Sequence, residues 1–189
     1  MIPEDRHGKI IGPGKIRFQR ILPGPIDKIW AYLTNSELRG KWLAKGDMEL
    51  FEGGRVNLHF LHKELSPLNE SPPEKYKGME LGHSFTGKIL RINPPRLLAF
   101  TWEGHSEVTF ELKEIENEVL MILTHTKLPQ NIITQASVAG GWHSHLDILE
   151  ASSREEIPPG FWTKHAELEE EYTRILLYSA VFRPLLSLL

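Results

Sequence analysis

Nine histidines and no cysteine set the chemistry open to this chain. Imidazole titrates near neutral pH and ligates metals, so histidine can serve as acid, base, polar anchor or ligand. Thiolate nucleophiles, disulfides and cysteine-type zinc sites are excluded. Spacing then sorts the histidines. His59 and His62 stand three apart in a segment of period-two alternation, which sends them to opposite faces, and His62 shares parity with Val56, Leu58 and Phe60. His125 shares parity with Val119, Met121 and Leu123. His62 and His125 are therefore the candidate inward imidazoles, either general acid/base groups or histidines hydrogen-bonded inside a core. The stretch SVAGGWHSHLDIL, residues 137–149, suggests an H-x-H ligand pair. On a helix, however, His143 and His145 lie about 200° apart at ~100° per residue and cannot hold one ion. No H-E-x-x-H helix and no calcium-type loop occurs, so neither metal nor cofactor is expected. Gly53-Gly54-Arg55 reads as a phosphate cradle or, more simply, a tight turn. Glu103 and His105 flank Gly104 at a strand end, placed either to meet a cavity mouth or merely to turn the chain. No G-x-S-x-G elbow is found, which disfavours hydrolase chemistry.

The elements that must position these residues follow from periodicity. Lys15 to Ile21 is β-rich, and Pro25 suits the start of a helix carrying Ile26, Ile29, Trp30 and Leu33. Asn35-Ser36 caps a second short helix with Leu38 and Trp42. A hairpin is predicted with Met48 and Leu50 on one arm and Val56, Leu58 and Phe60 on the other. The Pro-rich segment Glu64 to Gly82 reads as a mobile lid or binding loop. Strand patterns follow at Ser84–Ile92, Leu97–Glu103, Glu107–Lys113 and Val119–Lys127, then a helix over Ile132–Ser152 and a last helix from about Phe161. On the long helix Trp142, Leu146 and Leu149 share one face, His143 borders it, and Gly140 and Gly141 fall on the far side as a bend or close contact where the helix crosses the sheet. The fold class is α+β: a curved antiparallel sheet of about six or seven strands closed by the long helix. The sheet-and-helix domain spans 1–155, its first ~14 residues a tail, and 156–189 is a helical extension. In that extension Ile175, Tyr178, Phe182, Leu185, Leu186 and Leu189 form a stripe, with Leu177, Val181 and Leu188 off it. Such a helix packs on two things, its own domain and, as one alternative, a second copy in a homodimer.

Composition narrows the partners. With 22 basic and 25 acidic residues and a net charge of -3, nucleic acid is not expected. The charged N-terminus lacks a signal peptide's apolar region, which points to the cytoplasm. Ile175 to Phe182, bracketed by Arg174, Arg183 and Pro184, is too short to span a bilayer of ~20 helical residues.

A family pattern runs through these elements. It comprises Pro25-Ile26-Asp27-Lys28-Ile29-Trp30, Leu33-Thr34, Leu38, Trp42-Leu43, Glu52-Gly53-Gly54-Arg55, and Gly87-Lys88-Ile89 through Asn93-Pro94-Pro95-Arg96-Leu97 to Phe100-Thr101-Trp102. Leu123-Thr124-His125, Gly141-Trp142, Leu146 and Leu149 complete it. In this order the chain resembles the START-like helix-grip (SRPBCC) superfamily, and within it the bacterial relatives of the activator of heat-shock-protein ATPase. The resemblance implies an apolar cavity between sheet and long helix. Combined with strand parity, it gives a lining of Phe60, His62, Phe85, Phe100, Trp102, Phe110, Met121, Leu123, His125, Trp142 and Leu146. The superfamily includes lipid carriers, hormone sensors, polyketide cyclases and co-chaperones, so three expectations follow. The first is binding of a small hydrophobic or amphipathic molecule in a stress or regulatory role. The second is a cyclase or isomerase using cavity histidines, and the third a module that docks a chaperone or another protein.

Overall fold

The computed structural model describes residues 6–186, with side chains for all of these except 104 and 180–186. Seven antiparallel strands form one sheet in the order β1-β2-β7-β6-β5-β4-β3. They are β1 (Lys9–Gly12), β2 (Lys15–Pro23), β3 (Arg55–Phe60), β4 (His83–Asn93), β5 (Leu97–Thr101), β6 (Glu107–Ile115) and β7 (Glu118–Thr126). Helices α1 (Ile26–Thr34) and α2 (Ser36–Arg39) follow β2, while α3 (Ile132–Ser153) and α4 (Phe161–Leu186) close the chain. Lys9–Gly12 pair with β2, so the expected tail supplies an edge strand instead. The first arm of the expected hairpin is reduced to two isolated bridges, Lys45 to His59 and Met48 to Val56. Gly53 has φ +86°, and its amide donates to the Ile89 carbonyl at 2.8 Å. With the Gly54 amide given to Phe51, the double glycine is a turn whose donors are spent on backbone. Among the described residues no helix is long and apolar enough to cross a membrane.

The core follows the alternation. Ile16, Phe18 and Leu22 of β2, Val108, Phe110 and Leu112 of β6 and Val119, Met121 and Leu123 of β7 are all buried on the face that meets α3. Helix α3 is capped by Asn131, whose side chain accepts from the Thr134 amide at 2.8 Å. Its C-terminal carbonyls are met from α1, where Lys28 Nζ donates to Ser153 O at 2.8 Å and the Tyr32 hydroxyl to Ser152 O at 3.0 Å. On its other side lies α4, which crosses at the glycine pair. A Cβ on Gly140 would sit 3.1 Å from the Glu169 nitrogen and 3.3 Å from its Cα, whereas one on Gly141 would find only the His165 ring at 3.9 Å. The glycines thus serve the contact with α4 rather than a crossing of the sheet. Phe161, Trp162, His165, Leu168, Tyr172 and Leu176 form the buried face of α4. This face is rotated by one residue, about 100°, from the expected stripe, and Ile175 and Tyr178 are exposed. The side chains of Val181, Phe182, Leu185, Leu186, Leu188 and Leu189 lie outside the described residues.

The segment Glu64 to Gly82 is fastened rather than free. Short helical turns occupy His62–Glu64 and Glu74–Met79, and the Glu70 carboxylate accepts the Trp162 amide at 2.8 Å, capping the start of α4. The Tyr76 hydroxyl donates to Glu169 at 2.9 Å and pairs with Ser137 Oγ at 2.7 Å.

The crossing at Gly140 gives a contrast between neighbours. Gly140→Val should lower unfolding free energy by about 1–3 kcal/mol in urea denaturation, because the added atoms meet α4 backbone. Gly141→Ala should be neutral or stabilising by up to about 1 kcal/mol through helix propensity. Equal costs at both positions would contradict this crossing.

Candidate functional site

A cavity of about 240 Å³ opens where the β3–β5 end of the sheet parts from α3 and α4. Pleat geometry aims Phe60 of β3 and His83 and Phe85 of β4 at it, and Trp102 follows from the end of β5. Ser137, Val138, Gly141, Trp142 and His145 recur at helical spacing on α3 and form the opposite wall. Phe161, Trp162 and His165 from α4, with Tyr76, Met79 and His62 from the tethered segment, close it from the side. The rings touch in series: Phe85 to Trp102 at 4.9 Å, Trp102 to Trp142 at 4.9 Å, Phe60 to Phe85 at 5.7 Å and Tyr76 to Trp162 at 5.5 Å between centroids. At the mouth, His83 Nε2 lies 3.0 Å from Glu103 Oε1.

The expected lining divides in two. Phe60, His62, Phe85, Trp102 and Trp142 stand on the cavity. Phe100, Phe110, Met121, Leu123, His125 and Leu146 do not; they are buried deeper, where α3 closes on the sheet and fills the space. His62 also differs from its expected setting, since β3 ends at Phe60 and His62 enters through the helical turn. His143 is turned away from the cavity. Its Nδ1 meets the Tyr172 hydroxyl at 3.0 Å, and Asp147 lies 3.7 Å from its Nε2, in a separate polar cluster with Arg6 and Arg20. Of the pair beside Gly104, Glu103 lines the mouth, while His105 is exposed at φ +70°.

Hydrogen-bond valence separates the histidines by role. Trp142 Nε1–H donates to His125 Nδ1 at 2.9 Å, so the neutral ring carries its proton on Nε2 and donates to Ser106 Oγ, also at 2.9 Å. Ser106 passes its own proton to the Glu103 carbonyl at 2.8 Å. Both nitrogens of His125 are occupied, and the ring ties the tryptophan of α3 to the sheet. His145 Nδ1 lies 2.7 Å from the Trp42 carbonyl, which can only accept. Trp42 Nε1–H in turn donates to Tyr32 O at 2.9 Å, so this histidine anchors α3 to the α1–α2 corner. His62 makes no hydrogen bond through Nδ1, nor does His165, whose Nδ1 is 3.9 Å from Glu169.

Burial decides the charge of these rings. His62 and His125 are each held down to about 3, the first by burial and then by the neighbouring histidines His165 and His83, the second by burial alone. Burial also drives His145 well below its usual value, the Trp42 carbonyl opposing, and lowers His165 against the pull of Glu169. At neutral pH the cavity therefore presents aromatic faces and the uncharged imidazoles of His62, His145 and His165. Among the described residues no three ligating side chains converge on a point that could hold a metal. The arrangement suits recognition through ring contacts and a few hydrogen bonds. His165, Phe161 and Trp162 were beyond sequence reasoning because they reach the cavity only once α4 folds back over α3, Tyr76 because its segment has no periodicity, and His145 because α3 shows no single apolar stripe.

The sign of the pH response follows directly. These histidines bind protons more readily in the unfolded chain, near their ordinary ~6.5, than in the fold. Their contribution to stability is complete above that value and is lost as pH falls from 6.5 toward the folded values of about 3 for His62 and His125 and about 4 for His143. Thermal unfolding from pH 7 downward should show Tm falling steeply below pH ~6, and His62→Leu should flatten the slope. A Tm independent of pH in this range would contradict buried neutral imidazoles.

Comparison with known proteins agrees with this fold. Residues 23–153 match the family described as activator of Hsp90 ATPase homolog 1-like protein. A Bordetella parapertussis protein solved by NMR is 39% identical, with a TM-score of 0.76 over 89% of each chain. CalU16 from Micromonospora echinospora, in its crystal structure, is 24% identical, with a TM-score of 0.61 over 89% of this chain and 93% of its own. The AHSA1-like protein of Aeromonas hydrophila is 18% identical, with a TM-score of 0.58 over 75% of this chain and 92% of its own. The latter two share the fold. No curated protein matches the chain.

Proposed function

The chain belongs to the activator of Hsp90 ATPase homolog 1-like family, and from that premise we propose that it binds a small, planar, mostly apolar molecule in the cavity between the sheet end, α3 and α4. The observation that carries this reading is the ring of aromatic side chains around about 240 Å³ of open space. Ligand sites are concave, mostly apolar and furnished with a few placed polar groups, and this one has Phe60, Phe85, Trp102, Trp142, Phe161 and Trp162 with sparse imidazoles between them. Flat rings offer large contact area at little conformational cost, which favours a flat occupant.

Binding is better supported than turnover. A general acid or base works best with a pKa near the operating pH, and His62 is held near 3. His125, the other candidate, has both nitrogens engaged and lies outside the cavity.

A bulky side chain at the cavity wall tests the proposal. Val138 lines the cavity and is only partly buried, so Val138→Trp fills space with little disturbance of the core. The fluorescent apolar probe N-phenylnaphthylamine should bind the natural protein with emission enhancement, and Val138→Trp should weaken it by at least about tenfold, or about 1.4 kcal/mol. Equal enhancement by both proteins, or none by the natural one, would overturn this reading.

A further inference from the structure

We propose that His145 is the specificity-determining acceptor of this cavity, selecting planar ligands that present an N–H or O–H donor to its Nε2. The inference rests on the binding reading above and adds the polarity of the ligand to it.

The argument begins with the Trp42 carbonyl, 2.7 Å from His145 Nδ1. A carbonyl oxygen has no proton to give, so the Nδ1 of His145 must carry one. A neutral imidazole has a single N–H, which leaves Nε2 with a lone pair. The ring stays neutral because every group around it withholds compensating charge. His62 approaches from the turn after β3 with its centroid 5.4 Å away, and His165 acts on it from α4. Phe60 of β3, Trp142 of α3 and Phe161 of α4 supply only ring edges and faces. The carboxylates nearest the cavity are committed elsewhere: Glu103 to His83 at the mouth, and Glu169 to Lys75 and the Tyr76 hydroxyl. Burial completes the effect by opposing a second proton on His145.

The neighbouring rings differ. His165 Nε2 is 3.3 Å from the Ser137 carbonyl, which puts its proton there and the lone pair on Nδ1, a buried atom with no partner. His62 Nδ1 is likewise buried and unpartnered. Those two nitrogens are sealed from the cavity, whereas His145 lines it with Nδ1 spent on Trp42 and no partner on Nε2, which leaves that lone pair as the acceptor a ligand can satisfy. That partner must be a donor. An anionic group would meet that lone pair, whereas an N–H or O–H on a flat ring meets an acceptor and aromatic faces together.

A site built to accept a hydrogen bond discriminates against the analogue that lacks the donor, because its own polar group is then left unpaired. N-methylindole lacks the N–H of indole and adds one methyl group, whose steric effect persists in His145→Phe while that of the hydrogen bond does not. Isothermal titration calorimetry at neutral pH should show indole binding at least about fivefold more tightly than N-methylindole. His145→Phe keeps the ring volume and should bring the two affinities together. Should that variant unfold, the natural protein decides the question: in its indole complex the ligand N–H should give a nuclear Overhauser contact to the His145 ring. Indole and N-methylindole binding equally, or an indole N–H remote from His145, would overturn the inference while leaving the apolar cavity intact. If neither compound binds, while N-phenylnaphthylamine does, the donor inference fails alone; if none of the three binds, both readings fail.

Discussion

Helix α3 is packed on both sides, by the inner face of the sheet and by α4, and most of the architecture answers to that constraint. A helix exposed on one side can send its polar residues to water, but this one has Trp142, His143, Ser144, His145 and Leu146 buried in succession. Each polar group must find a partner inside the protein or remain unsatisfied at a cost of about 1–3 kcal/mol. Ser144 returns its hydroxyl proton to the Gly140 carbonyl at 2.8 Å, and His143 meets Tyr172. The C-terminal carbonyls are taken by Lys28 and Tyr32. Every neighbouring element therefore holds α3 by a directional bond as well as by apolar contact, which fixes its rotation and its depth against the sheet.

The cavity arises from the same arrangement. Where α3 packs over the β2 side of the sheet, Phe110, Met121, Leu123 and Leu146 fill the interior and no space remains. Toward the β3 edge the curved sheet parts from the helix, and α4 with the Glu64 to Gly82 segment makes up the missing wall. His125 and His145 differ in consequence although both are buried. The first is bonded through both nitrogens between tryptophan and serine, while the second spends one nitrogen on the Trp42 carbonyl and keeps the other. Valence, more than exposure, distinguishes an imidazole that holds the fold from one available to a ligand.

Much of the sheet was legible in the sequence because a half-buried strand writes its environment as period-two alternation. Val56, Leu58 and Phe60, and Val119, Met121 and Leu123, are buried as their parity predicts. The second short helix after β2, capped by Asn35, and the start of α3 at Asn131 follow capping chemistry that is local to the chain. The candidate site was legible in part, through Phe60, Phe85, Trp102 and Trp142 and the inward aim of His62. Two features defeated the rest. A helix buried all round carries no single apolar stripe, so nothing local distinguished His145 from His143. The return of α4 across Gly140 is a long-range contact, and the edge strand Lys9–Gly12 is a short pairing with little alternation of its own.

The central claim is that α3 is held by neutral imidazoles, its own His145 and His125 of β7, whose proton positions are set by what they touch. Nitrogen NMR of the ligand-free protein at neutral pH reads those positions directly. The account predicts a proton on Nδ1 alone for His145 and on Nε2 alone for His125. An imidazolium at either residue, or the opposite tautomer, would contradict it.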